Sequence, residues 1–184
     1  MASSSPRRAD LLARAGIDFV LAVPGPEPAA AGGPVDRALA RAVAKARGAV
    51  LPDGAIDGAP VLGVDTVVAL DGREYGKPVD AAAAAATLTA LAGRCHDVHT
   101  AHCVVPSGGG RAATAVTSAV VRIASVEGEP LRCYLATGDW RGKAGAYGIQ
   151  DAGADFAELV AGELDTVVGL SVAAVRALLE RAAR

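Results

Sequence analysis

The stretch VLGVDTVVAL, Val61 to Leu70, decides how this chain reads. Aliphatic and β-branched residues run through it almost unbroken, the pattern of a central strand buried on both faces. One carboxylate, Asp65, interrupts the run. An ionised carboxylate without a partner is costly to bury, so Asp65 must meet a cation, a metal or hydrogen-bond donors, unless the strand ends there and Asp65 merely caps a turn. Thr66, one residue on, would face the opposite side of a continuing strand.

The neighbouring segments alternate between elements. DGREYGKP (71–78) closes a hairpin-like turn, and DAAAAAATLTALAG (80–93) predicts a helix capped by Asp80 and stopped by Gly93. DVHTAHCVVP and TAVTSAVVRIA predict two further strands joined by SGGG, EPLRCYLATG a short helix, and SVAAVRALLERAAR a closing amphipathic helix. The stretch between those two helices mixes turns and short strands. On the N-terminal side, Ser5 and Pro6 read as the cap and first position of a helix that ends at Gly16. IDFVLAV (17–23) reads as a strand, PGPEPAAAGGP as a loop, and Val35 to about Ala49 as a second helix with Arg37, Arg41 and Lys45 on one face. Mixed strands and helices throughout predict an α/β fold with a mixed sheet, in a single domain spanning residues 1–184.

Composition bounds the function. A net charge of −2 and an aromatic content of 3% disfavour a surface for nucleic acid, which needs uncompensated cations and stacking platforms. Three cysteines without paired spacing suggest neither a disulfide framework nor a zinc site, and a reducing cytoplasm is the expected location. No apolar run approaches the length of about 18 residues that would suggest a membrane span.

Three features invite chemistry. Arg7 and Arg8 fall in the first turn of a helix, where the dipole already disfavours cations, and an anionic ligand would reverse that sign. Lysines are scarce: Lys45, Lys77 and Lys143 stand against fifteen arginines, and Lys45 and Lys77 read as compact point charges suited to phosphate. His96, His99 and His102 lie in HDVHTAH, but strand alternation turns His99 away from the other two, so they read as structural rather than metal-binding.

Taken in order, SSSPRRADLL, GVDTVVALDGREYGKPVD, LAGRCHDVHT and TGDWRGKAGAYGIQDAGADF resemble the blocks of the Maf family of nucleotide pyrophosphatases, also called septum-formation inhibitors, over essentially the whole chain. The resemblance implies a mixed twisted sheet flanked by helices, two lobes with a central cleft, and kinship with the inosine triphosphatase fold. It implies hydrolysis of a nucleoside triphosphate to monophosphate and pyrophosphate with a divalent cation, Mg²⁺ or Mn²⁺, in a homodimer. By motif, Asp65, Lys77 and Lys45 match catalytic positions, and Ser3, Arg7, Arg8, Thr66, Lys143 and Gln150 match substrate-binding ones. Asp65 would accept a proton from water or hold the metal; Arg8, Lys45 and Lys77 would clamp the phosphates.

Arg7, Thr66 and Gln150 resemble the subgroup that prefers dTTP and UTP over 7-methylguanosine triphosphate. A neutral amide at Gln150 can donate to O4 and accept from N3–H of a pyrimidine. The sequence departs from the family pattern at Glu27-Pro28, where an acidic pair is expected, leaving Glu27 as the second candidate metal ligand. It also departs at Gly142 and at Asp151, where glycine usually follows IQ. A nucleotide-binding regulator of cell division with weak or no catalysis is the alternative reading.

Overall fold

Val61–Leu70 forms a continuous strand, β1, and Asp65 lies inside it rather than at its end. A short strand β2, Arg73–Tyr75, folds back antiparallel, with Val68 opposite Tyr75 and Leu70 opposite Arg73. The two-residue link is Asp71-Gly72, with φ of 52° and 75°. Positive φ at both positions gives the turn whose twist matches a hairpin. The structure is a computed structural model and describes residues 1–55 and 57–182, so Ile56 and the last two residues of the expected closing helix lie outside it.

The remaining elements follow the chain. Helix α1 spans Pro6–Arg14 and α2 spans Pro34–Arg47. After β2 come α3 (Ala81–Leu91), β3 (Cys95–Val105), β4 (Ala113–Ile123) and α4 (Gly128–Thr137). A single 3-10 turn at Ala144–Ala146 precedes β5 (Ala157–Ala161), α5 (Leu164–Val168) and α6 (Val172–Ala182). The five strands form one sheet in the order β2-β1-β3-β4-β5, with β4 and β5 antiparallel. Parallel pairing enters as single bridges, among them Ala2 to Gly63 and Ala92 to Ile123.

Capping explains where two helices begin. Asp80 accepts the Ala83 amide through Oδ1 at 2.7 Å, as its position before α3 predicts, and Asp36 accepts the Gly33 amide at 3.1 Å ahead of α2. Ser5 does occupy the cap of α1, but its hydroxyl makes no cap bond. The Ser3 hydroxyl instead accepts the Ser5 amide at 3.2 Å, so the oxygen that organises this turn sits two residues earlier.

The expected strand at IDFVLAV does not form. Its end is extended chain held by two single bridges, Ala22 to Ala2 and Val23 to Val50, and Leu21 and Val23 are exposed. Its partner segments each offer it one residue, too few for a ladder.

Two compact units divide the chain, each with its own core. The first comprises Met1–Thr66, Thr100–Thr117 and Gly169–Arg184, and gathers Leu12, Leu62, Val64, Val104, Leu170, Val175 and Leu178. The second comprises Val67–His99 and Ser118–Val168, and packs Leu88, Leu91, Val98, Val121, Ile123, Tyr134 and Trp140. Among the described residues, no helix is long and apolar enough to cross a membrane.

Candidate active site

Gly63 is the residue that lets the site of the first unit assemble. A Cβ at this position would stand 2.3 Å from the Ala42 carbonyl oxygen and 2.6 Å from the Ala46 amide nitrogen, so α2 lies directly against the backbone of β1. Two residues further along the strand, Asp65 projects from the same face as Gly63. From α2, Arg41 and Lys45 reach it.

Lys45 Nζ donates to Asp65 Oδ1 at 2.5 Å and pairs with Glu27 Oε1 at 2.8 Å. Arg41 lies farther off, its Nη1 3.7 Å from Asp65 Oδ2 and its Nε 4.0 Å from Glu27 Oε2. The Lys45 and Asp65 side chains are only 9% and 10% exposed, whereas half of Glu27 faces solvent from its loop. Two carboxylates and two cations balance, which is the condition for burying Asp65. Asp65 Oδ2 itself is buried and accepts no hydrogen bond from the described residues.

The residues fit a divalent cation. Two carboxylates supply the hard oxygen donors that Mg²⁺ takes from protein, the rest of its shell coming from water and phosphate. The ammonium of Lys45 already bridges these carboxylates, which marks a position that favours positive charge, and Oδ2 of Asp65 retains its accepting capacity.

Across the strand, Thr66 belongs to a different network. Arg8 Nη2 donates to Thr66 Oγ1 at 3.0 Å, and that hydroxyl lies 3.0 Å from Thr100 Oγ1. Arg8 also donates through Nη1 to Ser3 Oγ at 3.1 Å and Val64 O at 2.9 Å, and through Nε to Gly169 O at 2.8 Å. A guanidinium has five N–H donors, and here four go to protein acceptors. Arg8 therefore ties the N-terminal segment to β1 and to the start of the Gly169 segment, and one of its N–H groups has no partner among the described residues. Burial pushes its pKa down to about 10, against the opposing pull of Asp65 and Glu27, so it stays cationic at neutral pH. The side chain of Arg7, a half-buried residue on the same turn, makes no hydrogen bond or ion pair with the described residues.

The first unit thus brings together two groups of expected residues: Ser3, Arg8 and Thr66, and Glu27, Lys45 and Asp65. Lys77, Lys143 and Gln150 belong to the second unit. There Lys77 and Gln150 are exposed, and Lys143 Nζ contacts the carboxylate of Asp151. Each of the three histidines has a hydrogen-bond partner within its own unit. His96 Nε2 lies 2.7 Å from the Tyr147 hydroxyl, His99 Nδ1 lies 2.7 Å from the Ser118 hydroxyl, and His102 Nε2 accepts the Ser171 amide at 2.9 Å. No cluster of three or more metal-ligating side chains occurs among the described residues.

Sequence reasoning missed Arg41 and Gly63 as parts of this site. Both left a signal: Arg41 precedes Lys45 by one helical turn, and an isolated glycine within a strand marks close backbone approach. Nothing in the sequence pointed to the carbonyls of Val64 and Gly169 as acceptors for Arg8.

Comparison with known proteins places the chain in context. A family model described as Maf-like protein matches residues 1–182. A protein of Burkholderia pseudomallei (strain 1710b) named dTTP/UTP pyrophosphatase is 40% identical over 192 residues, covering 99% of this chain and 92% of its own. A Streptomyces avermitilis protein named nucleoside triphosphate pyrophosphatase is 37% identical over 182 residues, covering 97% of this chain and 87% of its own. A Pelotomaculum thermopropionicum dTTP/UTP pyrophosphatase is 36% identical over 181 residues, covering 98% and 94%.

Proposed function

This chain belongs to the Maf-like protein family, and from that premise we propose that it hydrolyses dTTP and UTP to the monophosphate and pyrophosphate. The names of its relatives support the activity and the pyrimidine preference. The single structural observation that carries the reading is Asp65: an acid buried in mid-strand, flanked by Lys45 and Arg41, with one oxygen that accepts no hydrogen bond from the described residues.

The chemistry follows from those groups. The oxygen of a water molecule bonds to the α-phosphorus, the bond from that phosphorus to the α,β-bridging oxygen breaks, and pyrophosphate leaves with the bonding electrons. The water loses a proton, and Asp65 Oδ2 is the atom placed to take it if the acid acts as the base. In the alternative role Asp65 and Glu27 hold a divalent cation, Mg²⁺ or Mn²⁺. Such an ion, when bound, supplies charge stabilisation to the phosphate oxygens. Arg41 and Lys45 neutralise phosphate charge that accumulates in the transition state, a contribution that is largest in a site fixed beforehand.

Substrate contacts extend the proposal. Arg8 offers its remaining N–H to a phosphate, and the Arg7 side chain, without a partner among the described residues, is available to the base or sugar. Lys77, Lys143 and Gln150 contact the nucleotide in this reading, and for these three the support is the motif resemblance. The exposed amide of Gln150 can meet both N3–H and O4 of a pyrimidine. The chain acts as one domain and as a homodimer in the cytoplasm, a location that three free cysteines favour.

Pyrophosphate release from dTTP and UTP with Mg²⁺, compared between the wild type and Asp65→Asn, tests the activity. The variant should lose about a hundredfold or more in kcat. Binding of nucleotide without turnover by the wild type would favour the regulatory reading, and faster cleavage of 7-methylguanosine triphosphate than of dTTP and UTP would overturn the pyrimidine preference.

A further inference from the structure

The second unit holds an ion pair outside the chemistry assigned to Asp65. Lys143 Nζ contacts Asp151 Oδ2, and both side chains are largely enclosed, 11% and 18% exposed. Tyr134 donates its hydroxyl proton to the same oxygen at 3.4 Å. Burial, and after it the charge of Asp151, push the Tyr134 phenol well above its ordinary value, so it remains a donor.

The acid is also fixed by backbone. Asp151 donates its amide to the Gly148 carbonyl at 2.9 Å, and its own carbonyl accepts the Ala154 amide at 3.0 Å. Its carboxylate lies against Gly148 so closely that a Cβ there would stand 2.5 Å from Oδ2. The turn from Gly148 to Asp151 carries Gln150, so the carboxylate on Lys143 and the amide expected to read the base share one tight loop.

An ammonium neutralised in place is a weaker anion site than a bare one. A phosphate that approaches Lys143 competes with a carboxylate already in contact, at a cost that grows as water is excluded. We propose that Asp151 is an internal counter-ion that sets the affinity of Lys143 for the polyphosphate of the substrate. It is a positioning residue, acting through Lys143 and not on the reacting atoms. This inference rests on the reading that Lys143 contacts the nucleotide.

The test separates the two readings by using inorganic triphosphate as the probe. Calorimetric titration is made on the wild type, Asp151→Asn, Lys143→Met and the double variant, alongside KM and kcat for dTTP. Asp151→Asn keeps the size of the side chain and removes its charge, so triphosphate should bind about tenfold more tightly, and the kinetic change should fall in KM. In the Lys143→Met background the same substitution should change nothing, because the site it acts through is gone. Asp151→Glu should hold wild-type affinity.

Unchanged or weaker triphosphate binding by Asp151→Asn would overturn the proposal, as would an equal gain in both backgrounds. If neither Asp151→Asn nor Asp151→Ser folds, the carboxylate is scaffold and the proposal fails. A wild type that hydrolyses no nucleotide yet shows this binding pattern would sink the enzymatic reading and leave the counter-ion in place.

Discussion

Lys45 and Asp65, twenty residues apart in sequence, meet at 2.5 Å beneath a loop that brings Glu27 to the same ammonium. Each ion is nearly enclosed, so neither tolerates the loss of the other. Lys45→Met leaves the Asp65 carboxylate with only the more distant Arg41, and should destabilise the protein by about 3 kcal/mol. Adding Asp65→Asn to that variant removes the stranded charge and should recover part of the loss. Urea unfolding of the two single variants and the double variant measures the coupling; additive losses would mean that the pair contributes nothing to the fold.

The approach of α2 to β1 makes a separate prediction. Gly63→Ala sets a methyl group 2.3 Å from the Ala42 carbonyl, a backbone atom that cannot swing aside. The helix must shift, at about 3 kcal/mol, and carry Lys45 and Arg41 away from Asp65. Stability and turnover should therefore fall together. Gly76→Ala, where a Cβ meets nothing within 4 Å, is the control that should leave stability unchanged.

Arg8 should matter to an empty protein as well as to a loaded one. Arg8→Lys keeps the charge but loses the planar fork that serves Ser3, Val64, Thr66 and Gly169. Buried acceptors lose their donors, and the unfolding free energy without nucleotide should drop by roughly 3 kcal/mol. A variant as stable as the wild type that binds nucleotide poorly would show that Arg8 serves only the phosphates.

These three sites show what a sequence reveals and what it hides. Asp65 was legible because a carboxylate in an aliphatic run demands a partner wherever the chain goes. The Asp80 cap was legible for a similar reason, since its chemistry is complete within a few residues, whereas DGREYGKP, read as one turn, holds a two-residue turn at Asp71-Gly72 followed by the strand β2. Apart from the motif resemblance, Arg8 was legible as an oddity of charge. Two of its acceptors are backbone carbonyls 56 and 161 residues away, and carbonyls have no signature in sequence. IDFVLAV misled because apolar alternation reports burial preference and not whether a partner strand exists; here Val23 finds a single bridge, to Val50. The Lys143–Asp151 pair escaped because residues eight apart are too distant to touch along a helix or a strand, and only the turn at Gly148 closes it.

The buried His96 predicts how stability depends on pH. Burial lowers its pKa from 6.5 to about 4, outweighing the opposing charge of Asp97. Its Nε2 faces the Tyr147 hydroxyl while Nδ1 has no hydrogen-bond partner among the described residues, so a protonated ring would strand one N–H in the core. In the unfolded chain the ring takes up its proton near 6.5; in the folded protein it resists until about 4. Between those values the unfolded state binds more protons, so stability is highest above 6.5 and falls as pH drops toward 4, by roughly 3 kcal/mol in all, with no further loss from this group below that. His96→Gln keeps a polar partner for Tyr147 and does not titrate, so its unfolding free energy should lack this component. Denaturant melts of both proteins across that range should converge as pH falls; parallel curves would mean that the ring titrates alike in the folded and unfolded chains.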